Sequence, residues 1–229
     1  MKTSIPDRYD VEARYVPALI CSVPFLFLGF YYLNGLDSIF WQSAFALTIG
    51  SVGFSTALFL VVIHFCRAIG KAIEEKMFRR GLTFPTTEFM LNEDTNLSPE
   101  RKAKIISKVK QKFDIDLSKK ISGSDQDRRA VHEAVGQIRS MFHKNSQLIQ
   151  QRNIQFGFTK NLLGGSVLAV TVSMIGVILS IVTSNSVALK VSFVLLASYF
   201  ILGLASFSLV RFTARHYAHT LYDEFLASN

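Results

Sequence analysis

Polar and apolar positions in this chain come in blocks rather than interleaved. No formal charge occurs in the 22 residues between Arg14 and Asp37, the 29 between Asp37 and Arg67, the 29 between Lys160 and Lys190, or the 20 between Lys190 and Arg211. A hydrocarbon core about 30 Å thick takes about 20 mostly apolar helical residues to cross, so every block is long enough. A water-exposed helix of that length would carry a charged face, and these carry none. Without water, the backbone in such a block must satisfy its own hydrogen bonds, which makes helix the expected state. The pattern predicts an all-α membrane protein with four transmembrane helices, over about 16–34, 42–66, 161–183 and 189–210.

Turn-forming residues group these helices. Asn34-Gly35 and Ser184-Asn185-Ser186 read as the turns of two helical hairpins, 15–66 and 161–210. Pro17 lies near the start of the first helix, where a missing N–H costs little, and interior Pro24 is expected to kink it. Gly29, Gly50, Gly53, Gly164, Gly165, Gly176 and Gly203 are expected to allow close helix packing.

Outside the hairpins lie a leader (1–14), a central segment (67–160) and a tail (211–229). Of the 25 Lys and Arg residues, only Lys190 falls in a hairpin turn. By the excess of basic residues in cytoplasmic segments, both termini and the central segment should face the cytoplasm of a bacterial inner membrane. The opening residues are polar and the first apolar block lacks a small-residue cleavage site, so a retained anchor is expected. Cys21, inside a helix, and Cys66, at a membrane boundary, suggest no disulfide framework.

Within the central segment the period changes to that of amphipathic helix. Ile69, Ile73 and Met77 extend the second membrane helix into the cytoplasm, and Gly81 ends it. The 82–91 stretch is irregular, with Pro85 and the paired threonines favouring an extended or capped start. Ser98-Pro99-Glu100 opens a helix whose buried face is Ile105, Ile106, Val109 and Phe113. Its other face carries Arg101, Lys102, Lys104, Lys108, Lys110 and Lys112. Residues 114–123 read as a loop with room for a short strand, and Ser124 caps a helix with Val131, Val135, Ile138, Met141 and Phe142 inward. The 145–161 stretch leads into the third span, continuous with it in one reading.

The net charge of +8 resides in this central segment, which has 19 basic and 11 acidic residues. Three readings stand side by side. Basic residues retain loops in the cytoplasm. They attract anionic lipid. Clustered on the 101–112 face, they contact nucleic-acid phosphates or another regulatory partner. Few aromatic residues accompany that face, which argues against sequence-specific reading.

Chemical motifs are sparse. There is no phosphate-binding glycine loop and no Cys/His metal framework, so no cofactor or metal is expected, and the chain reads as non-enzymatic. His216, His219 and Asp223 share a helix face, a spacing that could ligate a transition metal or simply belong to a packed amphipathic tail with Tyr217, Leu221 and Phe225. Arg211 and His216, four residues apart in between, resemble the Arg-x4–6-His signature of the HEPN ribonuclease superfamily. That resemblance implies a membrane-tethered ribonuclease; Phe212 departs from the polar residue usual at that position.

Absence of charge inside the spans argues against a pump or ion-coupled transporter. Small residues are abundant there, and Ala46 with Gly50, and Gly165 with Ala169 and Ser173, form helix-packing stripes. Such stripes serve packing within one chain or self-association into a homo-oligomer, where hydroxyls would line a weakly polar path.

The order of leader, hairpin, basic helical insert, hairpin and tail resembles the small membrane effectors of bacterial antiphage systems, such as those paired with retron reverse transcriptases or cyclic-nucleotide signalling. The strings Pro6-Asp7-Arg8-Tyr9-Asp10, Phe84-Pro85-Thr86-Thr87 and Phe156-Gly157-Phe158-Thr159-Lys160-Asn161-Leu162-Leu163-Gly164 are similar to a set of bacterial membrane proteins. The resemblance implies a toxic membrane protein held silent by a partner encoded nearby, either a reverse transcriptase with its DNA/RNA or a nucleotide-signalling protein. Release on infection would let it oligomerise in membrane lipid and cause abortive infection. A non-toxic scaffold recruiting a soluble or nucleic-acid-bound partner is the alternative.

Overall fold

A computed structural model describes residues 7–33, 44–117, 121–142 and 146–228. The described residues are helical, with turns between and no strand. A π-helical segment, Asp10–Tyr15, leads into α1 (Val16–Cys21) and α2 (Val23–Leu33). Then come α3 (Ala44–Met77), the short α4 (Pro85–Glu88), α5 (Pro99–Phe113), α6 (Asp125–Phe142), α7 (Gln147–Val182) and α8 (Ser186–Ala227). Four stretches are long and apolar enough to cross a membrane: Asp10–Gly29, Thr56–Met77, Gln147–Val182 and Ser186–Ala227. The Asn34-Gly35 turn lies outside the described residues. So does the 118–120 part of the predicted loop, whose described remainder contains no strand.

The chain forms two compact units, 1–71 with 157–209 and 72–156 with 210–229. Their boundaries fall within α3, α7 and α8.

In the first unit the opening helix is irregular because of its prolines. The wider π-helical turn immediately precedes Pro17, whose ring would crowd the carbonyl four residues earlier in a tight α-helix. The helix breaks at Ser22, two residues before Pro24, where the Ser22 hydroxyl donates to the Leu19 carbonyl at 2.7 Å. At the other end of the unit, Ser184 takes a left-handed φ of 53°. Asn185 N–H donates to the Ser180 carbonyl at 2.9 Å and Ser184 N–H to that of Ile181 at 3.1 Å. This reverse-turn closure satisfies the last carbonyls of α7. Asn185 then caps α8 by accepting from Ala188 N–H at 3.1 Å.

Helix contacts in this unit are set by glycine. A Cβ at Gly164 would collide with the Cys66 carbonyl and the Gly70 backbone, and one at Gly70 would lie 2.6 Å from the Lys160 carbonyl oxygen. Gly157 faces Tyr9 and Ala13, and Gly176 faces Ser192. Backbone meets backbone where α3 crosses α7, which side chains would forbid. Around the crossing lie Ala18, Cys21, Val62, Ile63, Cys66, Leu162, Ala169 and Tyr199. The unit's outer surface is apolar: Leu60, Phe65, Met174, Ile181, Phe193 and Ile201 are all exposed. In a soluble chain so many exposed large side chains would be a liability; against lipid they are the expected surface.

The second unit packs short elements around the 84–91 segment. Phe84, Pro85, Thr86, Thr87, Phe89, Met90 and Leu91 are buried. Phe84 stands edge-on to Phe78, Phe156 and Tyr217. Tyr222 donates its hydroxyl to the Thr86 carbonyl. Local signals end and begin the helices as the residue types require. Arg79, Arg80 and Gly81 have φ of 44°, 54° and 93°, which turns the chain out of α3. Two non-glycine residues in that region cost about 1–2 kcal/mol each. The turn is tied down: Thr87 donates to the Gly81 carbonyl at 3.1 Å, Arg128 to that of Leu82 at 3.1 Å, and Arg79 pairs with Asp125 at 3.4 Å. Ser98 accepts from Arg101 N–H at 3.3 Å with Pro99 behind it, and Ser124 accepts from Asp127 N–H at 3.2 Å. The Asp127 carboxylate accepts from Ser122 N–H at 2.9 Å and from the Ser122 hydroxyl, which together hold it below the usual carboxylate range.

Candidate functional site

Two groups of polar residues are buried in the first unit. The first group caps carbonyls that the prolines leave without donors. Pro17 has no N–H for the Ala13 carbonyl, and Asn161 of α7 donates to it at 2.6 Å. Pro24 has none for the Ile20 carbonyl, and Tyr199 of α8 donates to it at 2.5 Å. A buried carbonyl without a donor costs about 1–3 kcal/mol, so each side chain offsets a defect its own helix did not create. Both are buried, as is the Asn161 Oδ1, which has no partner among the described residues.

The second group is a ladder of hydroxyls. Ser166, Ser173 and Ser180 recur at seven residues on α7, and Ser192, Tyr199 and Ser206 do so on α8. All six are buried. Ser166 and Ser180 bond back to carbonyls of their own helix at 2.7 Å. Among the described residues, the hydroxyls of Ser173, Ser192 and Ser206 have no hydrogen-bond partner. Of the predicted packing stripe, Gly165, Ala169 and Ser173 are buried within the chain. Ala46 and Gly50 lie on α3, with side-chain surroundings outside the described residues.

Cys21 and Cys66 lie in different helices, α1 and α3. The fold brings both into one core cluster, with their sulfurs against Gly165, where a Cβ would lie 2.6 and 2.8 Å from them. They form no disulfide. No spacing rule links residues 21 and 66, so only the fold could show the pair.

In the second unit the basic face of α5 is largely turned to intramolecular work. Arg101 pairs with Asp223 of α8. Lys102 is buried and donates to the Leu91 and Asp94 carbonyls. Lys108 donates to the Leu226 carbonyl at 3.2 Å and to that of Ser228, capping the end of α8, with its ammonium 5.5 Å from the Phe225 ring centre. Loss of solvent and the neighbouring Lys112 charge lower the Lys108 pKa. Lys110 pairs with Asp116 at 3.0 Å. Lys104 and Lys112 are exposed.

The tail residues diverge. His216 stands edge-on to Phe212 at 4.2 Å, His219 packs on Phe89 at 4.7 Å, and Asp223 takes Arg101. Among the described residues no group of three potential ligands converges on a metal site. Arg211 and His216, five residues apart on a continuous helix, project about 140° from each other. Elsewhere in this unit, His132 of α6 packs against Gly81, and burial, then the charge of Arg139, depresses its pKa.

One cleft stands out in the second unit. It encloses about 740 Å³ between the 90–99 loop, the first three turns of α5, and Asp116-Leu117.

Comparison with protein-family models, with curated proteins and with solved structures finds no match.

Proposed function

We propose that this chain is a multi-pass effector of the bacterial inner membrane, acting in antiphage defence by abortive infection. Two helical hairpins cross the membrane, and the segment between them is cytoplasmic together with both termini, as the 24 of 25 basic residues outside the hairpin turns favour. A cytoplasmic partner holds the protein silent. On release, several copies gather and the membrane becomes permeable.

The observation that carries this reading is the set of buried hydroxyls of Ser173, Ser192 and Ser206, which have no hydrogen-bond partner among the described residues. A buried polar group without a partner destabilises the arrangement that buries it. Rotation of α7 and α8 into an oligomer around a hydrated path would solvate these groups, so the resting packing is poised against an open one. The test is dye entry and loss of membrane potential after induced expression. Rapid dye entry, slowed in a Ser173→Ala/Ser192→Ala/Ser206→Ala variant, is expected. Cells that die with sealed membranes would overturn it.

A second reading, a non-toxic scaffold recruiting a soluble partner, is favoured by one feature. Gly165, Ala169 and Ser173 are already covered within a single chain, so self-association requires repacking or another face. Harmless expression with a stably co-purifying partner would favour the scaffold.

A further inference from the structure

The cleft on α5 joins three features. Its floor is apolar, built from Met90, Leu97, Ile106 and Leu117. Its size falls within the range of about 300–1,000 Å³ seen for small-molecule sites. And it is lined by Lys102, a residue only 7 % exposed.

Lys102 is the decisive residue. Burying an ammonium costs several kcal/mol unless an opposite charge is brought in with it. Here the ammonium donates to two backbone carbonyls, those of Leu91 and Asp94 (2.6 Å to the latter), and these are neutral. Among the described residues no carboxylate forms an ion pair with it. The two carboxylates that line the cleft have other partners. That of Asp94 accepts from Asn96 N–H at 2.8 Å and from the Asn96 amide at 2.9 Å. That of Asp116 pairs with Lys110. The cleft also borders the start of α5, a 15-residue helix whose positive dipole end adds to the same sign of field. A buried cation hydrogen-bonded only to neutral carbonyls, beside an apolar floor, is the complement of an amphiphilic anion.

We propose that this cleft binds a small organic anion, with a carboxylate or phosphate head group on Lys102 and a compact aromatic or aliphatic body on Met90, Leu97, Ile106 and Leu117. The site belongs wholly to the second unit and stands apart from the membrane reading. Because Lys102 ties the 90–97 loop to α5, a ligand on its ammonium competes with or reinforces that tie, which makes the loop the element that responds.

The test uses the full chain in detergent, titrated by calorimetry with phenyl phosphate, benzoate, inorganic phosphate and neutral benzamide. Saturable binding of phenyl phosphate or benzoate is expected, with inorganic phosphate and benzamide at least about tenfold weaker, a difference of about 1.4 kcal/mol. Preference between phenyl phosphate and benzoate assigns the head group. Lys102→Met should weaken binding about tenfold or more, and Ile106→Trp, which fills the cleft and leaves Lys102 in place, should do the same. Lys104→Met, on an exposed neighbour, should bind as the unaltered chain does. Binding that survives Ile106→Trp, binding equally strong for inorganic phosphate, or no saturable binding of either aromatic anion would overturn the proposal.

Discussion

Replacing Tyr199 with Phe removes one oxygen atom and tests the interpretation of the proline-containing helix directly. The ring, its burial and its place beside Ala169 stay the same, so the packing cost is near zero. What is lost is the donor to the Ile20 carbonyl at 2.5 Å, an acceptor that Pro24 leaves without an intrahelical partner. An unsatisfied buried acceptor costs about 1–3 kcal/mol, whereas interhelical hydrogen bonds in membrane proteins average about 0.6 and reach about 1.7 kcal/mol. Since Tyr199 is 7 % exposed and so shielded from water, the upper part of the second range applies, about 1.5 kcal/mol. The control is Pro24→Ala. It returns an N–H four residues after Ile20, so in that background Tyr199→Phe should cost about 0.5 kcal/mol or less, a coupling of about 1 kcal/mol. Reversible unfolding in mixed micelles, followed by far-ultraviolet circular dichroism over a denaturing-detergent titration, measures all four corners of the cycle. Equal costs in the two backgrounds would refute the claim that Tyr199 serves the carbonyl freed by Pro24.

The same logic extends to Asn161: Asn161→Leu should destabilise by about 1–3 kcal/mol, and less once Pro17→Ala restores a donor, in the same titration. Gly164→Ala should cost about 3 kcal/mol or prevent folding, because its methyl meets backbone of Cys66 and Gly70 that no rotamer change can move; Gly53→Ala, with nothing within 4 Å of its Cβ, should be neutral or slightly stabilising. The depressed pKa of His132 means that the unfolded chain binds its proton more readily than the folded one, so stability is full above the ordinary imidazole range and falls as pH drops through it. The thermal midpoint should therefore decline on acidification from neutral pH, and less steeply in His132→Gln; identical slopes would sink this assignment. Lys108→Met should leave the last turn of α8 uncapped, seen as faster amide exchange over 223–228 with the exchange of α6 unchanged.

Local physics made much of the architecture legible. The cost of putting charge into hydrocarbon is so large that four charge-free blocks announce four membrane-compatible helices without any knowledge of contacts. Ser98 before Pro99, Ser124, and Gly81 after the basic pair mark helix ends because caps and left-handed turns depend on a few adjacent residues. The 82–91 stretch carries weaker signals. Its Pro and paired threonines predict an irregular piece, and periodicity is silent on the fact that Phe84, Thr86 and Thr87 are core.

What the tertiary structure alone decided is which distant groups meet. Asn161 reaches a carbonyl 148 positions away and Tyr199 one 179 positions away, while Cys21 finds Cys66 across the same core. Those pairings depend on the rotation and closeness of helices, set where Gly164 lets α7 touch the backbone of α3. The lysines of α5 illustrate the same limit. A run of basic residues looks identical in sequence whether it faces water, a phosphate or the chain's own carbonyls, because charge fixes what a side chain seeks, and only the fold fixes what lies within its reach.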